Sequence, residues 1–467
     1  MSALWTSAEA ASATSGRNSR EWSASGVSID SRSLARGDLF VAIQGLKFDG
    51  HDHVADAFGK GASAATVSRN VKPVPPDAAL LVVADTQKAL EDLGRAARAR
   101  CQATVIGVTG SVGKTGVKEA LRHALERQGP TAASQGSLNN QWGVPLSLAR
   151  MPRETKFGVF EMGMNHAGEI DALTRLVRPD VALITTIEPA HLGFFPSVEA
   201  IADAKAEIFN GMGGRGTAVL NRDNPYYERL AARAEAAGVP RIVSFGAHED
   251  SSVRLVECEL HGCASAVTVS LMGEVFDYSV ALPGRHWVMN SLAVLAAVKA
   301  AGGDAVSAAS AMATLEPIAG RGRRSKIALP GGEAVLIDES YNASPASMRA
   351  AVEVLAAMKP KNGGRRVALL GDMLELGGQS AKLHADLAEL LNDADIDLVF
   401  TSGPEMRALD RALPAKRRGF HAATAAEMAK TVTSLLKPGD VVLVKGSHGS
   451  RMFEVAASLA SPAAAKE

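Results

Sequence analysis

The stretch that most constrains this 467-residue chain is VIGVTGSVGKTG, residues 105–116. An apolar run of β character, TVIGVT, leads into Gly110 and Gly113, and a helix is expected from Lys114. Strand, glycine-containing loop and helix in that order turn backbone N–H groups and the positive end of a helix toward an anion. In a loop of the form G-x-x-x-x-G-K-[ST], the Lys reaches the terminal phosphates and the hydroxyl serves Mg²⁺. The strict pattern puts Gly at position 108, and this chain has Val108. That departure costs little if the backbone is still extended there, because Gly110 and Gly113 then supply the flexibility. Gly110, Ser111, Val112, Gly113, Lys114 and Thr115 are therefore the expected phosphate-binding residues of a nucleotide site.

Around that loop the chain alternates apolar runs with helical segments, which predicts α/β architecture with parallel sheets. Three blocks emerge, at 1–100, 101–316 and 317–467. The first holds GDLFVAIQG, AATVS and LLVVAD, then a helix from Thr86 to about Arg100 with Leu90, Leu93 and Ala97 at helical spacing. The second holds TVIGVT, FGVFEMG, VALITTI, TAVLN and RIVSF as a parallel sheet. VRLVECEL, SAVTVSL and VFDYSVAL follow as added antiparallel strands, and VMNSLAVLAAVKAAG closes the block as a helix ending at glycines. The third holds AVLIDES, RVALLGDM, DLVFTSG and VVLVKGS as a second, Rossmann-like parallel sheet, with a hinge expected over 317–332. Polar residues at the carboxyl ends of these strands are site candidates, since ligands of open α/β sheets sit there.

Composition narrows the partners. Lys plus Arg and Asp plus Glu are both 50, so no net basic footprint points to nucleic acid. Only three cysteines occur, which favours a reducing, cytoplasmic setting over a disulfide framework. Cys258, His261 and Cys263 have no second pair to complete a tetrahedral metal site. The first residues lack a basic start and a continuous apolar run, so no signal peptide is expected, and no apolar run long enough to span a membrane occurs.

Several chemistries could use the gripped phosphate. A GTPase needs N-K-x-D after a later strand, and the nearest candidate, NRDN at 221–224, lacks the Lys. No motor or transporter signature is evident, and a small-molecule kinase needs no third α/β block. Two domains closing on one nucleotide fit better. Glu161 ends a strand 47 residues after Lys114, where a carboxylate suits Mg²⁺. His191 follows another apolar strand and could reach the same cleft. Lys205 lies on a helix whose apolar positions Ile201, Ala204 and Ile208 draw it toward the buried face. A buried, unpaired Lys loses its proton more readily, and the neutral amine can add CO₂ to become an anionic carbamate ligand.

Taken together, VTGSVGKT, EMGMNHAGEI, HLGFF with AKAEIF, GRHWVMN, DESYNASP and LGDMLELG resemble the Mur ligases of peptidoglycan synthesis, in order over essentially the whole chain. The resemblance implies three domains: a small UDP-binding domain, a central ATPase domain and a C-terminal ligase domain. It implies an ADP-forming peptide ligase. NNQWGVP, EMGMNHAGEI and DESYNASP are similar to the branch that adds D-alanyl-D-alanine to UDP-N-acetylmuramoyl-tripeptide. The alternatives are a branch adding one amino acid to the UDP-dipeptide, or a nucleotide-binding homologue without catalysis.

The same resemblance assigns residues. Lys114, Glu161, His191 and Lys205 would be catalytic. Thr115 and Glu161 would hold one Mg²⁺; His191 and carbamoylated Lys205 would hold a second. Asn290 would meet the base of ATP and Arg321 its phosphates. Asp338 or Glu339 would take the ribose, with Asn342 beside them. Ser31, Arg32, Gln44, Lys47, Asp49, Gly50 and His51 would bind the UDP end of the substrate, and Asn139 and Asn140 would also touch it. A monomer is the expected state.

Overall fold

The computed structural model describes residues 3–71, 74–190 and 192–460. The first sheet orders its strands Arg17–Asn18, Leu80–Val82, Ala64–Val67, Asp38–Val41 and Gly26–Ser28, parallel apart from the first. A two-stranded ribbon of Trp5–Thr6 and Ser23–Ala24 lies beside it. Helix Thr86–Arg100 covers this sheet. The Asp85 carboxylate caps its start by accepting from the Lys88 N–H at 2.9 Å, and Leu90, Leu93 and Ala97 form its buried stripe. Gly94 of the same helix lies against helix Gly143–Ala149, where a Cβ would stand 3.0 Å from the Pro145 carbonyl. The glycine lets the two helices touch. Arg98 extends the contact, donating to the Val177 carbonyl at 2.9 Å.

The second sheet has nine strands in the order Glu274–Val280, Ser265–Leu271, Val253–Leu260, Arg241–Gly246, Thr217–Asn221, Val181–Ile184, Thr104–Thr109, Phe157–Glu161 and Thr131–Ala133. The last six are parallel, and the first three are joined as antiparallel hairpins. Its central parallel strands are buried on both faces, as parallel strands usually are, while the three antiparallel strands alternate buried and exposed residues. On one face Ile106 and Val108 pack with Val117, Leu121 and Leu292 from helices Lys114–Glu126 and Arg285–Ala300. On the other, Val105 packs with Ile170, Ile201 and Ile208.

The third sheet runs Arg323–Leu329, Gly332–Glu339, Val441–Lys445, Arg366–Gly371, Leu398–Ser402 and Arg418–Ala422, parallel except for its first strand. The hinge expected over 317–332 is therefore too long. Residues Arg323–Leu329 pair along their length with Gly332–Glu339, because Ile327, only 1% exposed, anchors them to Ala334 and Leu336. The irregular connection ends at Gly322, beside the antiparallel bridge of Ile318 with Arg321. Further strands were not expected, because each is short and lacks a strong apolar run: Thr131–Ala133 and Arg418–Ala422 at sheet edges, and Trp5–Thr6, Arg17–Asn18, Ser23–Ala24 and Gly26–Ser28 in the first block. Among the described residues, no helix is long and apolar enough to cross a membrane.

Candidate active site

Strand Thr104–Thr109 lies between Phe157–Glu161 and Val181–Ile184, with Val108 opposite Glu161 and Thr109 opposite Ile184. Three strand tips thus open onto one place. Val108 is inside the strand and fully buried, so the missing glycine leaves the loop intact. The turn begins at Gly110, φ +144°, where a Cβ would come within 2.0 Å of Thr185 Oγ1. Gly113, φ +86°, starts the helix, and a Cβ there would stand 3.0 Å from Asn290 Oδ1. Both positions demand glycine.

The loop is braced by the segment after Val181–Ile184. Thr185 Oγ1 donates to the Val112 carbonyl at 2.5 Å, and the Ser111 N–H donates to the Thr186 carbonyl at 2.8 Å. Ser111 Oγ donates to the Glu188 carbonyl and accepts its N–H, both at 3.0 Å. Such a loop is ready for phosphate before any arrives. Lys114 Nζ donates to the Gly110 carbonyl at 2.7 Å and the Ser111 carbonyl at 3.3 Å. Burial lowers its pKa, and although Glu161 opposes this, the charge of Arg321 adds to it.

Glu161 is 1% exposed, and each carboxylate oxygen has one partner. Oε2 accepts from Thr115 Oγ1 at 2.8 Å and Oε1 from Asn139 Nδ2 at 2.7 Å. A buried carboxylate against the hydroxyl that ends a phosphate loop is an oxygen donor set suited to Mg²⁺, which takes one or two carboxylates and completes its shell with phosphates and water. Lys205 sits on helix Val198–Ala206, whose start Ser197 caps by accepting from the Ala200 N–H at 3.3 Å. It is 1% exposed, and its Nζ makes no hydrogen bond or ion pair with a described residue. Burial first, and then the charge of Lys114, push its pKa well below the usual lysine value. His191 lies outside the described residues.

From the connection that leads into the third sheet, Arg321 lays its guanidinium 3.9 Å from the ring centroid of Tyr341, just past strand Gly332–Glu339, and the Tyr341 hydroxyl meets Ser137 Oγ of the central unit. Asp338 is engaged locally: Oδ1 accepts from the Ser340 N–H at 3.1 Å and Oδ2 from the Gly320 N–H at 3.2 Å. Glu339 Oε2 lies 3.5 Å from Lys445 Nζ, which also donates to the Asn342 carbonyl at 2.9 Å. Lys445, only 2% exposed, was not anticipated; its signal was the strand end VVLVKGS. Glu188 was not anticipated either. Half-buried beside Ser111, its carboxyl is pushed up by burial.

The N-terminal group forms a separate cluster on the first sheet. Asp49 accepts from the His51 N–H at 2.9 Å and from its Nδ1–H at 2.6 Å, while His51 Nε2 accepts from the Ser68 N–H at 3.0 Å. Partial burial works against the Asp49 charge, yet these bonds and Arg69 hold its pKa down to about 2. Gly50 fits because a Cβ would lie 2.7 Å from the Ile43 nitrogen. Gln44 bridges to Asp49, and Lys60 Nζ donates to the carbonyl of buried Ser31 at 3.0 Å. Arg32 is exposed and paired with Asp30 at 2.7 Å, and Lys47 is exposed in the loop between Gln44 and Asp49. Asn140 Oδ1 accepts from the Gly143 N–H at 2.9 Å, fixing the start of helix Gly143–Ala149, and next to it Trp142 meets Phe48 of the first unit edge-on at 6.1 Å.

Comparison with known proteins agrees with this geometry. Residues 108–298 match the Mur ligase middle domain, 322–448 the Mur ligase glutamate ligase domain, and 23–104 the catalytic domain of the Mur ligase family. The UDP-N-acetylmuramoyl-tripeptide–D-alanyl-D-alanine ligase of Escherichia coli K12 is 36% identical over 435 residues, 93% of each chain. That of Rickettsia prowazekii is 33% identical over 92% of this chain and 94% of its own. A crystal structure of MurF from Acinetobacter baumannii superposes with a TM-score of 0.84 at 32% identity, covering 97% of this chain and 98% of that one. MurF ligase from Thermotoga maritima in complex with ADP gives 0.74 at 27% identity, covering 93% and 96%. With a preformed phosphate loop, a buried Thr–Glu pair at its mouth and relatives matched over 92–93% of its length, the chain belongs to the Mur ligase family.

Proposed function

We propose that this chain joins D-alanyl-D-alanine to UDP-N-acetylmuramoyl-tripeptide, with ATP as the driving substrate, giving the pentapeptide precursor of peptidoglycan. The observation that carries the chemistry is the pair Thr115–Glu161 at 2.8 Å, buried at the end of a loop already shaped for phosphate. The choice of substrates rests on relatives matched over nine-tenths of the chain, all adding the same dipeptide.

A free carboxylate is a poor acyl donor. One oxygen of the tripeptide carboxylate attacks the terminal phosphorus of ATP, ADP leaves, and an acyl phosphate forms. The dipeptide amine then attacks the acyl carbon, loses a proton, and phosphate leaves with the shared oxygen. Lys114 and the N–H groups of 110–115 hold the phosphates, Arg321 adds positive charge from the connection into the third sheet, and Asn290 faces the base. Asp338 or Glu339 takes the ribose, with Asn342 alongside. Thr115 and Glu161 would hold one Mg²⁺, and His191 with a carbamate on Lys205 a second; the ions supply charge neutralisation. Orientation of the reacting groups is worth up to about 7–11 kcal/mol of barrier.

Ser31, Arg32, Gln44, Lys47, Asp49 and Gly50 receive the UDP end, where His51, with both ring nitrogens engaged, shapes the loop. Domain limits near residues 100 and 316 are supported by the separate sheets on either side. One copy supplies every residue named, which supports a monomer, and ATP with a UDP-linked precursor supports a cytoplasmic setting.

Incubation with UDP-tripeptide, ATP and D-alanyl-D-alanine tests the reading. Phosphate release with a product heavier by one dipeptide less water is expected. Turnover with a single amino acid on the UDP-dipeptide instead would reassign the substrate.

A further inference from the structure

Strand Thr104–Thr109 turns its side chains alternately to two faces. Ile106 and Val108 pack toward helix Lys114–Glu126, whereas Val105 packs with Ile201 and Ile208 on the other side. Thr109 stands four residues on from Val105 and so shares its face, as does Ile184, the residue opposite it in register. The Thr109 side chain is fully buried, and among the described residues its Oγ1 has no hydrogen-bond partner. Buried hydroxyls are nearly always bonded, because they give up water when they are buried. One left unbonded at the mouth of a nucleotide loop calls for a partner.

Lys205 reaches the same face from the helix that covers it. A Cβ on Gly107 would stand 3.4 Å from Ile208 Cδ1, so Ile208 lies over Gly107. Helix Val198–Ala206 connects two neighbouring parallel strands, Val181–Ile184 and Thr217–Asn221, and therefore runs opposite to them. Going back from Ile208 to Lys205 thus follows the direction from Gly107 to Thr109. The rise is about 5 Å along the helix and about 7 Å along the strand. A helical side chain also leans toward the N-terminus of its helix, which carries the Lys205 amine farther toward the strand tips. The Thr109 hydroxyl and Lys205, both buried, are brought to one level of one face.

We propose that the Thr109 hydroxyl is the protein's own hydrogen-bond donor to a carbamate on Lys205, and holds that group in place beside the phosphates. The carbamate forms when the unprotonated amine adds to CO₂: an N–C bond is made, one N–H proton goes to solvent, and one negative charge spreads over two oxygens. A buried anion needs donors and opposite charge. Thr109 Oγ1 supplies the donor. The charge of Lys114, which reaches residue 205 and opposes an ammonium there, attracts the anion instead. Thr109 is a positioning residue, acting through the carbamate, and its role rests on the reading of Lys205 given above.

Three variants of the full chain test it. T109V keeps the shape of the side chain and removes the hydroxyl, T109S keeps the hydroxyl, and K205A removes the amine. Carbamate is read by ¹³C NMR, without ATP or Mg²⁺, as the resonance that K205A lacks when the chain is titrated with ¹³C-bicarbonate. Folding is read by thermal melts in CO₂-free buffer. T109S should load like the unmodified chain, while T109V should need about tenfold more bicarbonate for half occupancy. T109V should melt no lower than the unmodified chain, since without carbamate it loses only an unbonded hydroxyl. Its turnover should fall and recover as bicarbonate is raised. Equal loading of T109V and the unmodified chain would overturn the proposal, as would a lowered T109V melt, which marks a hydroxyl bonded within the protein. A missing resonance in the unmodified chain would sink the carbamate reading itself, and the role of Thr109 with it.

Discussion

An ammonium group loses its proton more readily as water is stripped from it, and Lys205 is 1% exposed with the like charge of Lys114 nearby. Replacing it by Ala removes a costly buried group, so K205A should fold and melt no lower than the unmodified chain while losing activity. Short carboxylic acids should restore part of that activity by occupying the carbamate's place; full activity without added acid would contradict the carbamate. His286 provides a pH test. Burial, and then the charge of Lys445, lower its pKa to about 4, against about 6.5 unfolded. A depressed pKa favours the folded state above the unfolded value, so this contribution is present above pH 6.5 and is lost as pH falls toward 4. Thermal melts should drop across that window, and H286N should flatten the drop. The part of the site carried by residue pattern was legible in sequence: the glycines and Lys114 lie in one contiguous motif, and the helical spacing around Lys205 foretold its burial. Glu188 and Lys445 were not, because their burial depends on what the rest of the chain lays over them.

At the scale of elements, the phosphate loop depends on backbone shape. G110A would set a Cβ 2.0 Å from Thr185 Oγ1 at a φ that L side chains rarely adopt. Nucleotide titration should find no binding in this variant; near-normal affinity would mean that the loop is not held as described. The helix behind the loop is pinned to the strand edge by Lys118, fully buried, whose Nζ donates to the Ser134 carbonyl at 2.7 Å and the Gly136 carbonyl at 3.1 Å and pairs with Glu119. K118M strips the donor from two strand-edge carbonyls while Glu119 keeps Arg122 as a partner at 2.8 Å, and chemical denaturation should show a loss of about 1–3 kcal/mol. Elements with a continuous apolar run were readable. Arg323–Leu329 was taken for a hinge because Arg, Lys and flanking glycines mask the single inward Ile327, and Thr131–Ala133 was too short to announce itself.

Across the whole molecule, the first and second units share packed helices at Gly94 and Pro145, whereas the second and third meet through Gly193, Tyr341 and other isolated contacts. The third unit is therefore the one expected to move, about the connection that ends at Gly322. Trypsin should cut around Arg321 and Arg323, and more slowly with ATP and substrate bound; an unchanged rate would count against closure. The claim on which the account turns is that the gripped phosphate is handed to a carboxylate. The most direct test uses UDP-tripeptide labelled with ¹⁸O in its terminal carboxylate, together with ATP and D-alanyl-D-alanine. The account expects one labelled oxygen in the released inorganic phosphate, carried there by the acyl phosphate. Peptide formation with unlabelled phosphate would contradict it.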